Sequence, residues 1–245
     1  MKGLQTSNFG YEAAVAWALG KGLEKNAIQP DVLIYHEPLT AKNSSVKFQI
    51  TGAQRTVENK SANFLKLKDA FFGTHIGLGI TRVPVKMENG VRTPQFGNAR
   101  TYFFADERVF TGAAPANSWA RECDALNTVY TGKMDLQIEK KTTLEDLPTG
   151  LFEHIPVVQT QLGSTGVPAL MNSSKRFETI HLGKTFGFFG DKDAHVEVRL
   201  GDGEYAAVVG NPTIPTNEVG YENYLTWICA GFVIDNACAP VRING

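Results

Sequence analysis

Residues 118–160 read SWARECDALNTVYTGKMDLQIEKKTTLEDLPTGLFEHIPVVQT, and two different periods within them decide the fold class. Trp119, Cys123, Leu126 and Tyr130 recur at four, three and four residues, so the spacing predicts one buried helical face over 118–130, with Ser118 placed to cap the first-turn amides. From Lys133 the period falls to two. Met134, Leu136 and Ile138 alternate with Lys133, Asp135, Gln137 and Glu139, which predicts a strand over 133–140, wet on one face and buried on the other. A helical turn over 143–152 and another extended run over 153–160 complete the stretch.

Outward from this stretch, short β-rich runs dominate in both directions. On the N-terminal side they cover 32–35, 46–51, 64–68, 74–85 and 101–104, with Asn89-Gly90 as a hairpin signal because both residues tolerate positive φ. On the C-terminal side they cover 177–182, 185–189, 195–200, 205–209 and 224–234, separated by turns at 190–193 and 201–203. The run 228–234 is too densely apolar to alternate, which predicts a central strand buried on both faces. About a dozen strands without intervening helices predict a mainly β chain, an antiparallel sandwich of jelly-roll type with a few short helices, and a single elaborated jelly roll over a double one. Residues 1–30 form a helical arm and 31–245 the jelly-roll domain, with a sub-boundary possible near the Gly/Ser/Thr-rich connection at 162–174. The arm's helix, over 11–24, places Tyr11, Val15, Ala18 and Leu19 on one face with Asn8 as a cap; packing on its own domain is favoured over contact with a neighbouring copy or an internal membrane.

Composition narrows function mostly by exclusion. With 24 basic against 25 acidic side chains and a net charge of −1, the 245-residue chain lacks the long-range attraction that specific nucleic-acid binding or an anionic membrane calls for. No signal peptide and no transmembrane segment is read from the apolar runs. The five histidines have no helical metal-ligand spacing, and the three cysteines, Cys123, Cys229 and Cys238, suit buried thiols in a reducing compartment. Gly183-Lys184-Thr185 ends like a phosphate-binding loop, but Glu178 occupies the position where such a loop needs its first glycine. Asp191 with Asp193 and Asp202 with Glu204 are oxygen-rich turns, read as solvated carboxylates with calcium left open. No catalytic residue, no cofactor and no metal is assigned.

In the middle of the chain Tyr102-Phe103-Phe104-Ala105-Asp106, the helix end Leu126-Asn127-Thr128-Val129-Tyr130, Gly132-Lys133-Met134-Asp135-Leu136 and Leu147-Pro148-Thr149-Gly150-Leu151-Phe152 follow one another, with a fainter echo at Gly203-Glu204-Tyr205 and 224–236. In this order they resemble structural proteins of small tailless phages of Bacteroidetes hosts. The resemblance implies a non-enzymatic virion protein assembled in a host cytoplasm. It would associate with copies of itself, as a trimer or higher, and with other virion proteins. Outward-facing rings suit such interfaces, with Trp227, Tyr221 and Tyr224 as candidates, and the segments 11–24 and 143–152 are the expected contacts. The alternative is a ligand-binding sandwich, a carbohydrate-binding or host-recognition spike module, with Trp227, Tyr221 and Tyr224 as its stacking platform. An enzyme that draws two histidines and a carboxylate together is the third and least favoured reading.

Overall fold

A computed structural model describes residues 8–23, 26–39, 44–51, 65–88, 91–105, 123, 126–154, 179–200 and 220–237. Among these the chain forms helix α1 (Asn8–Leu19) and ten strands. They are β1 (Ile28–Pro38), β2 (Ser45–Thr51), β3 (Ala70–Glu88), β4 (Val91–Pro94), β5 (Arg100–Tyr102), β6 (Lys133–Ile138), β7 (Lys141–Pro148), β8 (Ile180–Phe189), β9 (Ala194–Arg199) and β10 (Gly220–Ile234). Single 3-10 turns occupy Phe96–Asn98, Thr128–Thr131 and Thr149–Phe152.

The long strands β3 and β10 lie antiparallel along each other, from Val85 opposite Gly220 to Ala70 opposite Ile234, with one register slip at Ala230/Gly231. Strand β1 flanks β10 along most of its length, and the far edge of β3 carries β8, β5 and β4 end to end. A second antiparallel sheet runs in the order β2-β9-β6-β7. With β4 and β5 set aside, the pairing is nested: β1 with β10, β2 with β9, β3 with β8, and β6 with β7. That is the pattern of one long hairpin doubled over on itself, its turns stitched together by the β10–β3 and β9–β6 pairs.

Alternation explains why two sheets form. On the inner faces Leu225, Trp227 and Cys229 of β10, Phe71, Ile76, Leu78 and Ile80 of β3, and Leu33 and Tyr35 of β1 join one buried cluster with Val46, Phe48, Ile50, Val196, Val198, Met134 and Leu136 of the second sheet. Full burial of each large apolar side chain contributes about 1.5–3 kcal/mol, so this cluster dominates the stability of the sandwich. The outer face of the second sheet is wet, with Lys47 and Lys133 exposed and Gln49, Asp135 and Gln137 half-buried. On the outer face of the first sheet, by contrast, Phe72 and Phe232 pack with Ala14, and Ala70 and Ile234 with Ala18, so α1 roofs that end of the sheet. Packing of the terminal helix on its own domain agrees with the favoured expectation, and Ala18 of the expected face is buried, but the face is rotated toward Ala14 and Trp17. Ala14 and Ala18 are buried with Trp17 against them, while Tyr11 and Leu19 are exposed. Small alanines let the helix approach closely, and Gly187 seats the Trp17 indole, which a Cβ there would overlap. Asn8 lies within α1 rather than ahead of it.

Several expectations hold in the structure. Strand β6 buries Met134 and Leu136 as its alternation predicted, the dense run 228–234 lies in a strand bonded on both edges, and Glu88 pairs with Val91 around Asn89-Gly90. Others need correction. Residues 143–148 belong to β7, because Glu139 and Lys140 adopt φ of 50° and 65° and turn the chain back on β6; only Thr149–Phe152 is helical, as a 3-10 turn. The helix before β6 keeps Cys123 and Leu126 helical and buried, then tightens into the 3-10 turn that carries Tyr130. Residues 65–69 make a turn rather than a strand. Residues 180–182 and 185–189 of the two expected runs join in β8, in which Gly183 takes φ of 66°, while 177 and 178 lie outside the described residues. Ser118, Trp119, and the runs at 155–160, 162–174 and 205–209 lie outside the described residues.

Gly187→Val is expected to lift Trp17 from its seat, lowering stability by about 1–3 kcal/mol and raising amide exchange in α1 while β6 and β9 keep their protection. Unchanged exchange in α1 would show that the indole does not depend on that seat.

Candidate functional site

The proposed ring platform fails on the parity of β10. Odd-numbered residues of this strand point to the side of the core and even-numbered ones away from it, so Tyr224 cannot share a face with Trp227 and Tyr221. Trp227 is 0 % exposed, lies 5.9 Å from the Tyr35 ring, and is closed to any external ligand. Tyr224, 8 % exposed, donates to Glu222 Oε2 at 3.0 Å and meets Phe96 edge-on at 5.1 Å; burial and the Glu222 carboxylate push its phenol pKa up. Tyr221 alone is open, at 41 %, and its ring is covered on one side by the Arg82 guanidinium at 4.0 Å.

A different constellation spans the outer face of the first sheet, invisible in the sequence because it needs the register of four strands. His36 Nδ1 lies 2.8 Å from Thr226 Oγ1; Thr226 hydrogen-bonds Thr81, and Thr81 lies 2.7 Å from the Thr101 hydroxyl. The chain thus ties β1, β10, β3 and β5 together. Phe96 stacks on the His36 ring at 5.4 Å, and burial holds the imidazole near pKa 4, hence neutral at pH 7. A neutral imidazole beside a hydroxyl has two parts of a nucleophilic site, but Thr226 is fully buried. The row is a hydrogen-bonded cross-tie, in which each hydroxyl can donate once and accept from its neighbour.

The remaining expected positions are dispersed. Asp193 accepts from Gln49 Nε2 at 2.7 Å and lies 3.7 Å from His195 Nδ1, so it braces the turn between β8 and β9. Gly183-Lys184-Thr185 is part of a strand, not a loop before a helix, and Lys184 Nζ donates to the Thr143 carbonyl at 2.9 Å. Cys123 and Cys229 are buried thiols, and burial pushes the Cys229 thiol pKa well up. Arg199 bonds Asp135 at 2.8 Å and also Asp146, which Lys133 reaches at 3.3 Å; those two cations hold the Asp146 carboxyl below the usual carboxylate range. Such exposed pairs contribute little to stability. Folding does bring two histidines together: His75 and His181 stand opposite each other across β3 and β8, with ring centres 5.1 Å apart. Burial first, and then His181, lower the His75 pKa. Among the described residues no group of three or more His, Cys, Asp or Glu could hold a metal, so no carboxylate completes the pair in such a group. Cys238, Asp202 and Glu204 lie outside the described residues. No helix among the described residues is long and apolar enough to cross a membrane. No family model, curated protein or solved structure matches the chain.

The His36 cross-tie makes stability pH-dependent. Its pKa is about 4 folded against 6.5 unfolded, so the unfolded chain takes up the proton first; the contribution is fully present above pH 6.5 and falls by roughly 3 kcal/mol as the pH drops to 4. Urea unfolding at pH 7 and pH 4.5 is expected to show a smaller loss in His36→Gln than in the parent. Equal losses would remove His36 as the cause.

Proposed function

We propose that this protein is a structural, self-associating shell subunit of a phage, built on a single elaborated jelly roll. The nested pairing carries the fold part of this reading. Winding one doubled hairpin of eight strands into two four-stranded sheets makes a jelly roll, and the orders β1-β10-β3-β8 and β2-β9-β6-β7 are consistent with that winding. On this reading β4 and β5 elaborate the single roll. Jelly rolls also serve lectins and cupins, so the fold supports several functions. The similarity to tailless-phage structural proteins favours the shell. The residues that carry it include Tyr102, Ala105, Leu126, Tyr130, Met134, Leu136 and Phe152, all in the buried cluster, so it speaks to how the sandwich is packed rather than to a ligand site.

Association on this reading runs through side chains. Tyr11 and Leu19 on α1 and Leu151 in the 3-10 turn are large apolar residues about half exposed, and they lie on the two segments expected to touch neighbours. Desolvated apolar side chains at the centre of an interface contribute most to association. Other virion proteins are the further partners. The ligand-binding alternative retains Tyr221 alone of its three rings.

Sedimentation at micromolar concentration is expected to show trimers or larger species, and Leu19→Asp with Leu151→Asp is expected to shift them toward monomer, with stability changed by no more than about 0.5 kcal/mol each. A strictly monomeric parent under all salt conditions would contradict the proposal.

A further inference from the structure

The His75–His181 pair has features of a metal-binding position that the shell reading does not use. Ile76 points into the core, so by alternation His75 faces outward, directly opposite His181 in the β3–β8 register. His75 is half-buried and His181 exposed, so both are reachable from solvent. The ring centres are 5.1 Å apart with planes at 68°. Two imidazoles bound to one tetrahedral zinc, each nitrogen about 2.0–2.1 Å from the metal, place their ring centres about 5 Å apart.

The hydrogen bonds around His75 also aim it. Thr74 Oγ1 has one hydrogen, which it donates to the Ala230 carbonyl at 3.1 Å. Its 2.9 Å contact with His75 Nδ1 is therefore one in which the ring donates. This leaves the lone pair on Nε2, the arrangement in which metal-ligating histidines are fixed by a partner on their other nitrogen. His181 Nδ1 accepts the Gly183 N–H at 3.1 Å, so His181 would bind through Nε2 after its proton moves to Nδ1, giving up that one exposed bond.

We propose that His75 and His181 form a two-nitrogen site for a borderline divalent transition metal such as zinc, nickel or copper, with water completing the coordination. Imidazole suits these ions, whereas calcium and magnesium require oxygen donors. The proposal is independent of self-association, since a monomer that binds the metal would leave it standing.

Calorimetric titration of the full chain with zinc chloride tests it, with circular dichroism to verify that each variant is folded. One zinc per chain is expected, weakened at least about tenfold by His181→Ala or by His75→Gln, and about tenfold by Thr74→Val, which keeps both ligands and removes only the positioning hydroxyl. The rise in Tm on adding zinc is expected to vanish in the His75→Gln/His181→Ala double variant. Zinc binding that persists unchanged in the folded double variant, or no binding by the parent at millimolar zinc, would overturn the proposal.

Discussion

The pairing of β10 with β3 is the constraint on which the rest of the structure depends. Both strands are apolar on both faces along much of their length, so one covering layer cannot satisfy them. The second sheet covers the inner face and α1 part of the outer one. Glycines make the close approach possible where the register slips. A Cβ on Gly73 would sit 2.6 Å from the Phe186 ring and 2.9 Å from Cys229 Sγ, and one on Gly231 would overlap the Phe72 carbonyl. The slip lets Phe72 and Phe232 face each other beneath the helix while Trp227 and Leu78 face each other in the core.

The two sheets differ in what their outer faces meet. The second sheet presents Lys133, Asp135, Asp146 and Arg199 to water, a network of little energetic weight that keeps the surface polar. One edge of each sheet is also guarded. Strand β1 carries Pro30 and Pro38, and β7 ends in Pro148 after Asp146 takes φ of 52°, features that discourage strand-to-strand addition of a second copy.

How much of this was legible follows from the distance over which each signal acts. Local periods were readable: the alternation at 133–138, the dense run at 228–234 and the turn at 190–193 all depend on near neighbours. Leu144, Leu147 and Leu151 are three and four residues apart and mimic a helix, but cross-strand pairing with β6 draws the first two into β7. Tyr11, Val15 and Leu19 are as apolar as the residues of α1 that are buried, so apolarity alone does not fix the face; the sheet selects the side where small residues permit approach. The ligand-binding alternative needs Trp227 at the surface, whereas Leu225, Trp227 and Cys229 share one parity that puts it in the core. The His36–Thr226–Thr81–Thr101 row and the His75–His181 pair join residues from separate strands, so only the register could reveal them.

The nested antiparallel pairing is tested most directly by cross-strand proton–proton contacts in a nuclear Overhauser experiment on the full chain. The account predicts contacts between Tyr35 and Trp227, between Leu78 and Trp227, and between Phe48 and Val196, which report the β1–β10, β3–β10 and β2–β9 pairs together. Contacts that instead join β1 to β2 and β8 to β9 as simple sequential hairpins, with none from Trp227 to Tyr35 or Leu78, would contradict it.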